Sequence, residues 1–190
     1  MRILSFQDLF PNFTSQSSWP TRQESLEKFQ KFNPLKYSKT RNYLNGQVSK
    51  LSPLIKHGVI TNKELLEMTR DKFSFEESEK FIQELAWRDF WRSYAYLNPD
   101  QIWTDVESYK TGFQTSEYQD KLPEDIESGQ TPTQVINVFI KNLKETGYLH
   151  NHARMYLASY VVHFRRVKWQ AGAKFFLTHL LDGDIASNNF

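Results

Sequence analysis

Residues 75–97 read FEESEKFIQELAWRDFWRSYAYL, and this stretch decides the fold class. Its apolar side chains recur every three or four residues, which is the spacing of one face of an α-helix. The recurring residues are Phe81, Leu85, Phe90, Trp91 and Tyr94. At its start, Ser74 and Glu77 form the pattern in which a hydroxyl and a carboxylate together cap a helix. We therefore predict one long helix here.

The sequence on both sides of this stretch also favours helices. Thr21 with Glu24 and Thr61 with Glu64 repeat the capping pattern. Further helices are predicted from Ser52-Pro53 to Gly58, over about 133–146 before Gly147, over about 149–166, and over about 170–181 before Asp182-Gly183. The helix over 149–166 is expected to bury Leu149, Tyr156, Tyr160 and Val161. Because the sequence lacks strand-like alternation, we predict an all-α fold with irregular connections over 33–51 and 98–131.

The composition fits one folded unit. The 190 residues are 39% hydrophobic and 15% aromatic, with 7 Gly and 7 Pro, so disordered and fibrous classes are excluded. No apolar run approaches the roughly 18 residues of a membrane span, and Asp8 interrupts the apolar start where a signal peptide would continue. We expect a cytoplasmic protein with no membrane partner, made of a tail over 1–19 and a helical domain over 20–190.

Several kinds of chemistry are excluded by missing residue types and motifs. The sequence has no cysteine, which removes disulfides, thiolate catalysis, iron–sulfur clusters and cysteine-ligated zinc. It has no Gly-rich phosphate loop of either standard type, no HExxH and no G-x-S-x-G. His150 and His152, two residues apart on a predicted helix, are expected to face nearly opposite sides. We therefore expect no metal site.

The charges are segregated along the chain. Residues 20–57 hold eight Lys and Arg against two acids, and residues 146–181 hold five with no acid. Residues 71–130 hold 14 acids and six bases. If the two basic stretches meet in space, they form a surface suited to a polyanion or a phosphorylated cofactor. The alternative is a solvated charge pattern without a partner.

One cluster of residues on the long helix has binding chemistry. Its spacing places Glu84, Trp87, Arg88 and Trp91 along one helical face. A carboxylate, two indoles and a guanidinium side by side can hold a flat heteroaromatic ring with polar edges. The alternative is a Glu84–Arg88 surface pair beside tryptophans of the core.

Two later clusters offer polar groups of the same kind. Asn151, Arg154 and Met155 share a face near a predicted helix start, where anions are favoured, or else they form a helix cap with solvated neighbours. Residues 181–189 read LDGDIASNN, and their short polar side chains supply carboxylate and amide partners for the edges of a ring system. The alternative for this last segment is a simple turn.

Taken jointly, these segments resemble the flavin-binding domain of the cryptochrome and photolyase family. ELAWRDFW (84–91), TGYLHNHARM (146–155) and LLDGDIASNN (180–189) are similar to three motifs of that family. A fourth match begins at Tyr37 and reaches SKLSP (49–53), which is similar to the family's phosphate loop. The order and separation of the motifs agree over about residues 20–190.

The resemblance implies FAD as the cofactor, in a U-shaped conformation inside a helical cluster. It implies cofactor contacts from Tyr37, Ser49, Lys50, Leu51, Ser52, Arg88, Asn151, Arg154, Asp182, Asp184, Ser187 and Asn188. Within this set the loop of residues 49–52 would hold the diphosphate. Arg154 would pair with Asp182, and Asn188 would face the flavin N5.

The resemblance also implies an activity. In the repairing members, the excited reduced flavin gives an electron to a pyrimidine dimer in UV-damaged DNA, the dimer splits, and the electron returns. The implied catalytic residues are Glu84, Trp87, Asn151, Met155 and Asn188, and Trp169 matches a link of the family's electron-transfer chain. The alternatives are a cryptochrome-like blue-light sensor without repair, and a flavin-free helical nucleic-acid binder or inactive family remnant.

The sequence departs from the family pattern at several points. Val48 replaces a common Thr, Tyr148 replaces the usual Trp, and Asn137 replaces an acid. The chain has no room for the family's α/β domain, so no antenna pigment is expected, and the reduced surface favours single-stranded DNA. Because the sequence stops at Phe190, the relay tryptophan nearest the flavin is expected to be missing, with Tyr109 an off-register substitute for the outer one.

Overall fold

The fold is described by a computed structural model of residues 21–190, so the predicted tail over 1–19 lies outside the described residues. The α-helices are α1 (Arg22–Gln30), α2 (Pro34–Thr40), α3 (Ser52–Lys56), α4 (Asn62–Lys72), α5 (Phe75–Leu97), α6 (Glu124–Ser128), α7 (Gln134–Thr146), α8 (Asn151–Ser159), α9 (Trp169–His179) and α10 (Ile185–Asn189). Short 3₁₀ helices span Pro99–Gln101 and Thr115–Glu117, and a π-helix spans Tyr160–Phe164. Over residues 21–190, β-pairing is limited to one isolated parallel bridge between Gln119 and Val167. The all-α prediction is confirmed.

The predicted capping patterns set three helix starts. At α1, α4 and α5 the hydroxyl of Thr21, Thr61 or Ser74 accepts a hydrogen bond from the third backbone N–H of the helix. In each case the glutamate at that position accepts one in return from the cap residue. Two backbone N–H groups that a helix start leaves unpaired are thereby satisfied at each place.

The predicted boundaries of two helices are wrong. The helix over 149–166 begins at Asn151, because His150 is its N-cap, and it passes into the π-helix, in which Arg165 N–H donates to Tyr160 O at 2.9 Å. The helix over 170–181 ends at His179, and Gly183 is not among the described glycines with positive φ.

Two helices lie where irregular chain was predicted. In α2, Asn33 accepts a hydrogen bond from Lys36 N at 2.8 Å, and Pro34 occupies the first helical turn, where its missing N–H costs nothing. In the second connection, α6 ends at Gly129, whose φ of 76° is left-handed. The sequence does contain a helix start signal in the first segment, Asn33-Pro34, and a helix stop signal in the second, Gly129.

The helices bury two hydrophobic clusters. The first cluster gathers α1, α3, α4 and the first half of α5 around Phe29, Leu51, Leu54, Ile60, Leu65 and Phe81. The second gathers α6 to α9 around Ile126, Ile140, Leu143, Leu157, Val161 and Val167. In the second cluster the predicted burial of Leu149 and Val161 is confirmed, but Tyr156 is 65% exposed. The face of α8 that packs inward is that of Ala153 and Leu157.

Polar contacts join the two clusters along a seam. Ser52 Oγ, at the start of α3, donates to Asp182 Oδ2 at 2.5 Å. His57 Nε2 lies 2.9 Å from Leu181 O. These contacts connect residues more than 120 positions apart and fix the loop before α10 against α3.

The side-chain amide of Asn137 uses both its oxygen and its nitrogen in hydrogen bonds. Its Oδ1 accepts hydrogen bonds from Thr131 N and Oγ1 at 2.8 and 2.7 Å, and its Nδ2 donates to Thr131 O at 2.8 Å. An ionised carboxylate cannot donate the last bond. The departure from the family's acid is thus matched by local hydrogen bonding at the start of α7.

Candidate functional site

A cavity of about 380 Å³ lies at the seam between the two clusters. Its lining includes Tyr37, Ser49, Lys50, Leu51, Ser52, Glu84, Trp87, Arg88, Asn151, Arg154, Asp182 and Ser187. A second cavity, of about 250 Å³, shares part of this lining and adds Met155, Asp184 and Asn188. Segments far apart in sequence therefore meet at one place. Every residue that the resemblance implies as a cofactor or catalytic contact lines one of the two cavities, whereas Trp91 and Trp169 line neither.

The loop before α3 forms one wall. Lys50 has a φ of 53°, in the left-handed region that residues other than glycine adopt rarely, and this turns the chain sharply at the cavity. Ser49 Oγ accepts a hydrogen bond from Leu51 N at 3.4 Å, while the Leu51 side chain is buried beneath the loop. The Lys50 ammonium lies 5.2 Å from the ring centre of Tyr148, within range of a cation–π interaction.

Asp182 is the centre of a hydrogen-bonded group on the opposite wall. Arg154 places one guanidinium nitrogen 3.0 Å from both carboxylate oxygens, and Ser52 donates from the other side. The Arg154 Nε also donates to Leu149 O at 2.8 Å, which fixes the plane of the guanidinium. The Asp182 side chain is 9% exposed, so its charge depends on these partners.

Asp184 is held by an arginine that sequence analysis did not single out. Arg92 donates from Nε and a terminal nitrogen to Asp184 Oδ2 at 3.0 and 2.9 Å, and Ser187 N donates to Oδ1 at 3.2 Å, which caps α10. Burial alone raises the pKa of this carboxyl, but these hydrogen bonds and the arginine charge hold the pKa below its ordinary value. The available sequence signal was the position of Arg92, one helical turn after Arg88.

Glu84 and Arg88 do not pair with each other. Glu84 lies 2.9 Å from Lys80 Nζ and 3.2 Å from an Arg41 nitrogen. The Arg88 Nε and one terminal nitrogen are buried without a hydrogen-bond partner among residues 21–190, and burial lowers the pKa of this guanidinium. The alternative of a Glu84–Arg88 surface pair is therefore wrong. A buried donor without an acceptor is costly, so this side chain fits a ligand that supplies one.

Trp87 presents its ring at the cavity rather than in the core. It is 51% exposed, and it stacks on Trp91 with ring centres 6.0 Å apart and planes 20° apart. Trp91 in turn stacks on Phe190 at 6.2 Å. The expectation of core tryptophans is wrong for Trp87, because the inward face of α5 is taken by Phe81 and Leu85.

The second cavity brings together amides and a thioether. The Asn151 Nδ2 lies 3.7 Å from the Met155 sulfur, and Met155 is 60% exposed. Asn188 Nδ2 donates to Ala173 O at 3.3 Å, which ties α10 to α9. Both asparagines keep an amide oxygen for a further partner.

Trp169 lies in a separate aromatic group. Its ring stacks on Trp103 with centres 6.0 Å apart and planes 8° apart, and its Nε1 donates to Asp105 Oδ1 at 2.6 Å. Its backbone N–H donates to the hydroxyl of Tyr109 at 3.1 Å. Trp169 thus contacts Tyr109, the off-register substitute for the outer relay position, as well as Trp103.

The two histidines lie closer together than expected. Their ring centres are 5.7 Å apart, because His150 is the N-cap of α8 and not part of the helix. The His150 Nδ1 accepts from His152 N at 3.3 Å, so its Nε2 donates to Arg41 O at 3.1 Å. No group of three or more His, Asp or Glu able to hold a metal ion occurs within residues 21–190.

Comparison with known proteins follows the same motifs. Residues 81–190 match the family model described as the FAD binding domain of DNA photolyase. This chain belongs to that family. The deoxyribodipyrimidine photo-lyase of Streptomyces griseus is 33% identical over 140 residues, which are 74% of this chain and 30% of the relative. The cryptochrome DASH of Idiomarina loihiensis is 31% identical over 162 residues, 80% of this chain and 35% of the relative.

A solved structure of the photolyase family superposes on the described fold. The archaeal photolyase from Sulfolobus tokodaii, solved with two FAD molecules, has a TM-score of 0.73 and 28% identity, with 95% of this chain and 40% of that chain covered. The chain spans about a third of the length of the curated relatives it matches. Within the described residues, no helix has the length and apolar character needed to cross a membrane.

The cavity fits the cofactor of the photolyase family, FAD. The unpartnered Arg88 and the sharp turn at Lys50 suit a ligand with a negatively charged diphosphate. The buried pair of Arg154 and Asp182 offers charged groups to the polar edge of a flavin ring. The cavity volume lies in the usual range for small-molecule sites.

Proposed function

We propose that this chain binds FAD at the seam cavity and uses it for light-driven electron transfer to pyrimidine dimers in UV-damaged DNA. The observation that carries the proposal is the meeting of Glu84, Trp87 and Asn151 in the same cavity as the Ser49–Ser52 loop. A side-chain set with lesion-binding chemistry and a set with cofactor-binding chemistry thereby share one space. Retention of the first set favours repair over a sensor role, because a sensor has no lesion to contact.

The proposed cofactor contacts follow from the charges of the two walls. The Ser49–Ser52 loop and Arg88 hold the diphosphate, with Tyr37 beside them. Arg154 and Asp182 contact the flavin ring, and Asp184, Ser187 and Asn188 line its edge, with Asn151 at the junction of the two cavities. When bound, FAD supplies the photon absorption and the electron. The chain's own part is to orient both partners and to exclude water from between them.

The proposed lesion contacts lie on the exposed side of the cavity. Trp87 stacks on the flipped dimer, and this replaces the base stacking lost on flipping. Glu84 accepts a hydrogen bond from the dimer and is held in place by its ion pairs with Lys80 and Arg41. Asn151 and Met155 contact the dimer from α8, and Asn188 completes the catalytic set.

A repair assay tests this function. The reduced protein, given an oligonucleotide with one cyclobutane dimer, should restore the pyrimidines under blue light and not in the dark. Glu84→Gln should lower the repair yield, while Glu79→Gln, a change of the same kind at an exposed position five residues earlier on α5, should not. If light gives no more repair than a boiled sample, the proposed function is wrong.

Trp169 gives a separate prediction about reduction of the flavin. Its ring packs on Trp103 and lines neither cavity, so we expect Trp169→Phe to leave the rate of flavin photoreduction unchanged in the 190-residue chain. Photoreduction should also be slow in the parent, because electron hopping needs neighbouring aromatic rings and Trp169 lies outside both cavities. Bleaching of flavin absorbance under blue light, with an external reductant present, measures both rates. Fast bleaching that disappears in the variant would show an intact relay through Trp169.

A further inference from the structure

The loop over 41–46 adjoins the mouth of the cavity and exposes apolar side chains. Arg41 and Asn42 line the cavity, and the next two residues, Tyr43 and Leu44, are 64% and 71% exposed. Clustered exposed apolar side chains next to a binding site commonly mark a binding surface. Neither side chain belongs to the cofactor or lesion contacts proposed above.

The loop has a fixed backbone. Tyr43 N donates to Thr40 O at 2.9 Å, Gly46 N donates to Tyr43 O at 2.8 Å, and Gln47 N donates to Thr40 Oγ1 at 3.0 Å. A Cβ on Gly46 would lie 1.8 Å from Thr40 O, so only glycine allows this close return of the chain. The backbone thus holds Tyr43 and Leu44 outward without using their side chains.

Exposed apolar side chains continue across the mouth. The hydrogen bond from His150 to Arg41 O fixes the loop to the start of α8. On α8, Met155 and Tyr156 are 60% and 65% exposed. On α5, Trp87 is also exposed. The loop over 41–46, α8 and α5 are thus three separate segments that each expose large apolar side chains and each contribute residues to a cavity lining.

Cations accompany this apolar surface. Lys36 and Lys39, on α2 just before the loop, are exposed, and neither forms an ion pair with any residue over 21–190. Lys50 is exposed on the other side of the cavity. Exposed aromatic rings beside lysines such as Lys36 and Lys39, which form no ion pair within residues 21–190, fit a strand whose bases are free to stack and whose phosphates need counter-charges. A duplex keeps its bases stacked inside and cannot use the rings.

We propose that Tyr43 and Leu44 form a stacking platform for an unpaired base next to the lesion, with Lys36 and Lys39 on the adjoining phosphates. The partner is therefore single-stranded nucleic acid. This inference rests on the proposed function, because it extends the same binding site along the strand. The preference for single-stranded over double-stranded nucleic acid would then come from residues outside the cavity.

Binding of undamaged strands in the dark tests the platform without any need for repair. The probes are an oligothymidylate, an abasic strand of the same length and charge, and a duplex, each labelled and titrated with the parent, Tyr43→Ala and Phe75→Ala. Phe75 is 63% exposed but stands at the start of α5, nine residues and about 13 Å from Glu84 along the helix axis, at the usual rise per residue. It therefore serves as a matched control.

We expect Tyr43→Ala to weaken oligothymidylate binding about tenfold, the usual loss for one stacked base, and to leave abasic-strand and duplex binding unchanged. Phe75→Ala should bind all three like the parent. Equal losses on the thymidylate and abasic strands, or no loss on either, would overturn the platform even in a chain that repairs dimers. Self-association of the parent that Tyr43→Ala abolishes would instead make this surface a contact between two copies and would also overturn it.

Discussion

Arg154→Ala should yield a purified chain that lacks bound FAD, whereas the parent should carry it in equimolar amount. The Arg154 guanidinium lies 3.0 Å from the carboxylate of Asp182, whose side chain is 9% exposed. In the variant, the Ser52 hydroxyl is the remaining hydrogen-bond donor to the Asp182 carboxylate among the described side chains. Breaking a buried pair on one side costs on the order of 3 kcal/mol, which corresponds to roughly a hundredfold in an equilibrium constant.

Arg165→Ala is the matched control for this loss. Arg165 has the same side-chain exposure as Arg154, 26%, and contacts Asp125 at 2.7 Å, but it lines neither cavity. It should lower the thermal midpoint without changing the flavin content, which the ratio of flavin to protein absorbance measures. Flavin retained in Arg154→Ala, or lost equally in Arg165→Ala, would contradict an ionic role for Arg154 in cofactor binding.

Trp87→Ala should weaken the affinity for a dimer-containing strand by roughly 1–3 kcal/mol, the cost of one lost base–aromatic stack. The flavin content should stay unchanged, because Trp87 is half exposed at the cavity edge and its removal unpairs no charge. Dark titration with a dimer-containing oligonucleotide separates this loss from any change in repair yield. The ring's place at the end of a stack with Trp91 also predicts that Trp87→Phe keeps part of the affinity.

The control for Trp87 is Phe164→Ala, since Phe164 is 76% exposed at the end of the π-helix and lines neither cavity. It should bind damaged and undamaged strands like the parent. If Trp87→Ala weakens damaged and undamaged strands by the same factor, the ring contributes general affinity and does not recognise the lesion.

Local signals in the sequence predicted much of the fold. The three helix caps at Thr21, Thr61 and Ser74 each involve a glutamate three positions later, so the sequence pattern alone predicts their hydrogen bonds. The π-helix after α8 was missed because it depends on a backbone bond from Arg165 to Tyr160 that no side-chain pattern signals. The start signal of α2, Asn33-Pro34, is also present in the sequence, although residues 33–51 were predicted as an irregular connection.

The residues of the site were predictable, and so was one of its pairs, since the resemblance implied Arg154 with Asp182. The other pairs were not predictable. The lining residues of the cavity were predictable because each sequence motif lies on one short segment of chain. The motifs could not show that Arg92 holds Asp184 across 92 positions, or that Arg41 rather than Arg88 lies beside Glu84. Such pairings depend on how the helices pack, and several cations compete for each carboxylate. The Nε and one terminal nitrogen of Arg88 have no hydrogen-bond acceptor within residues 21–190, which the motifs could not show either.

The division of the described interior into two hydrophobic clusters bears on how the molecule unfolds. Each cluster is closed within its own stretch of chain, one over 29–85 and the other over 126–180, so each can melt as a cooperative unit. Polar contacts link them, Ser52 with Asp182 and His57 with Leu181, and the Trp91 ring on α5 also stacks on Phe190. A molecule that occupies the seam binds only when both units are folded, and its binding free energy adds to the coupling between them. A bound cofactor would therefore also act as a structural element that couples the unfolding of the two clusters.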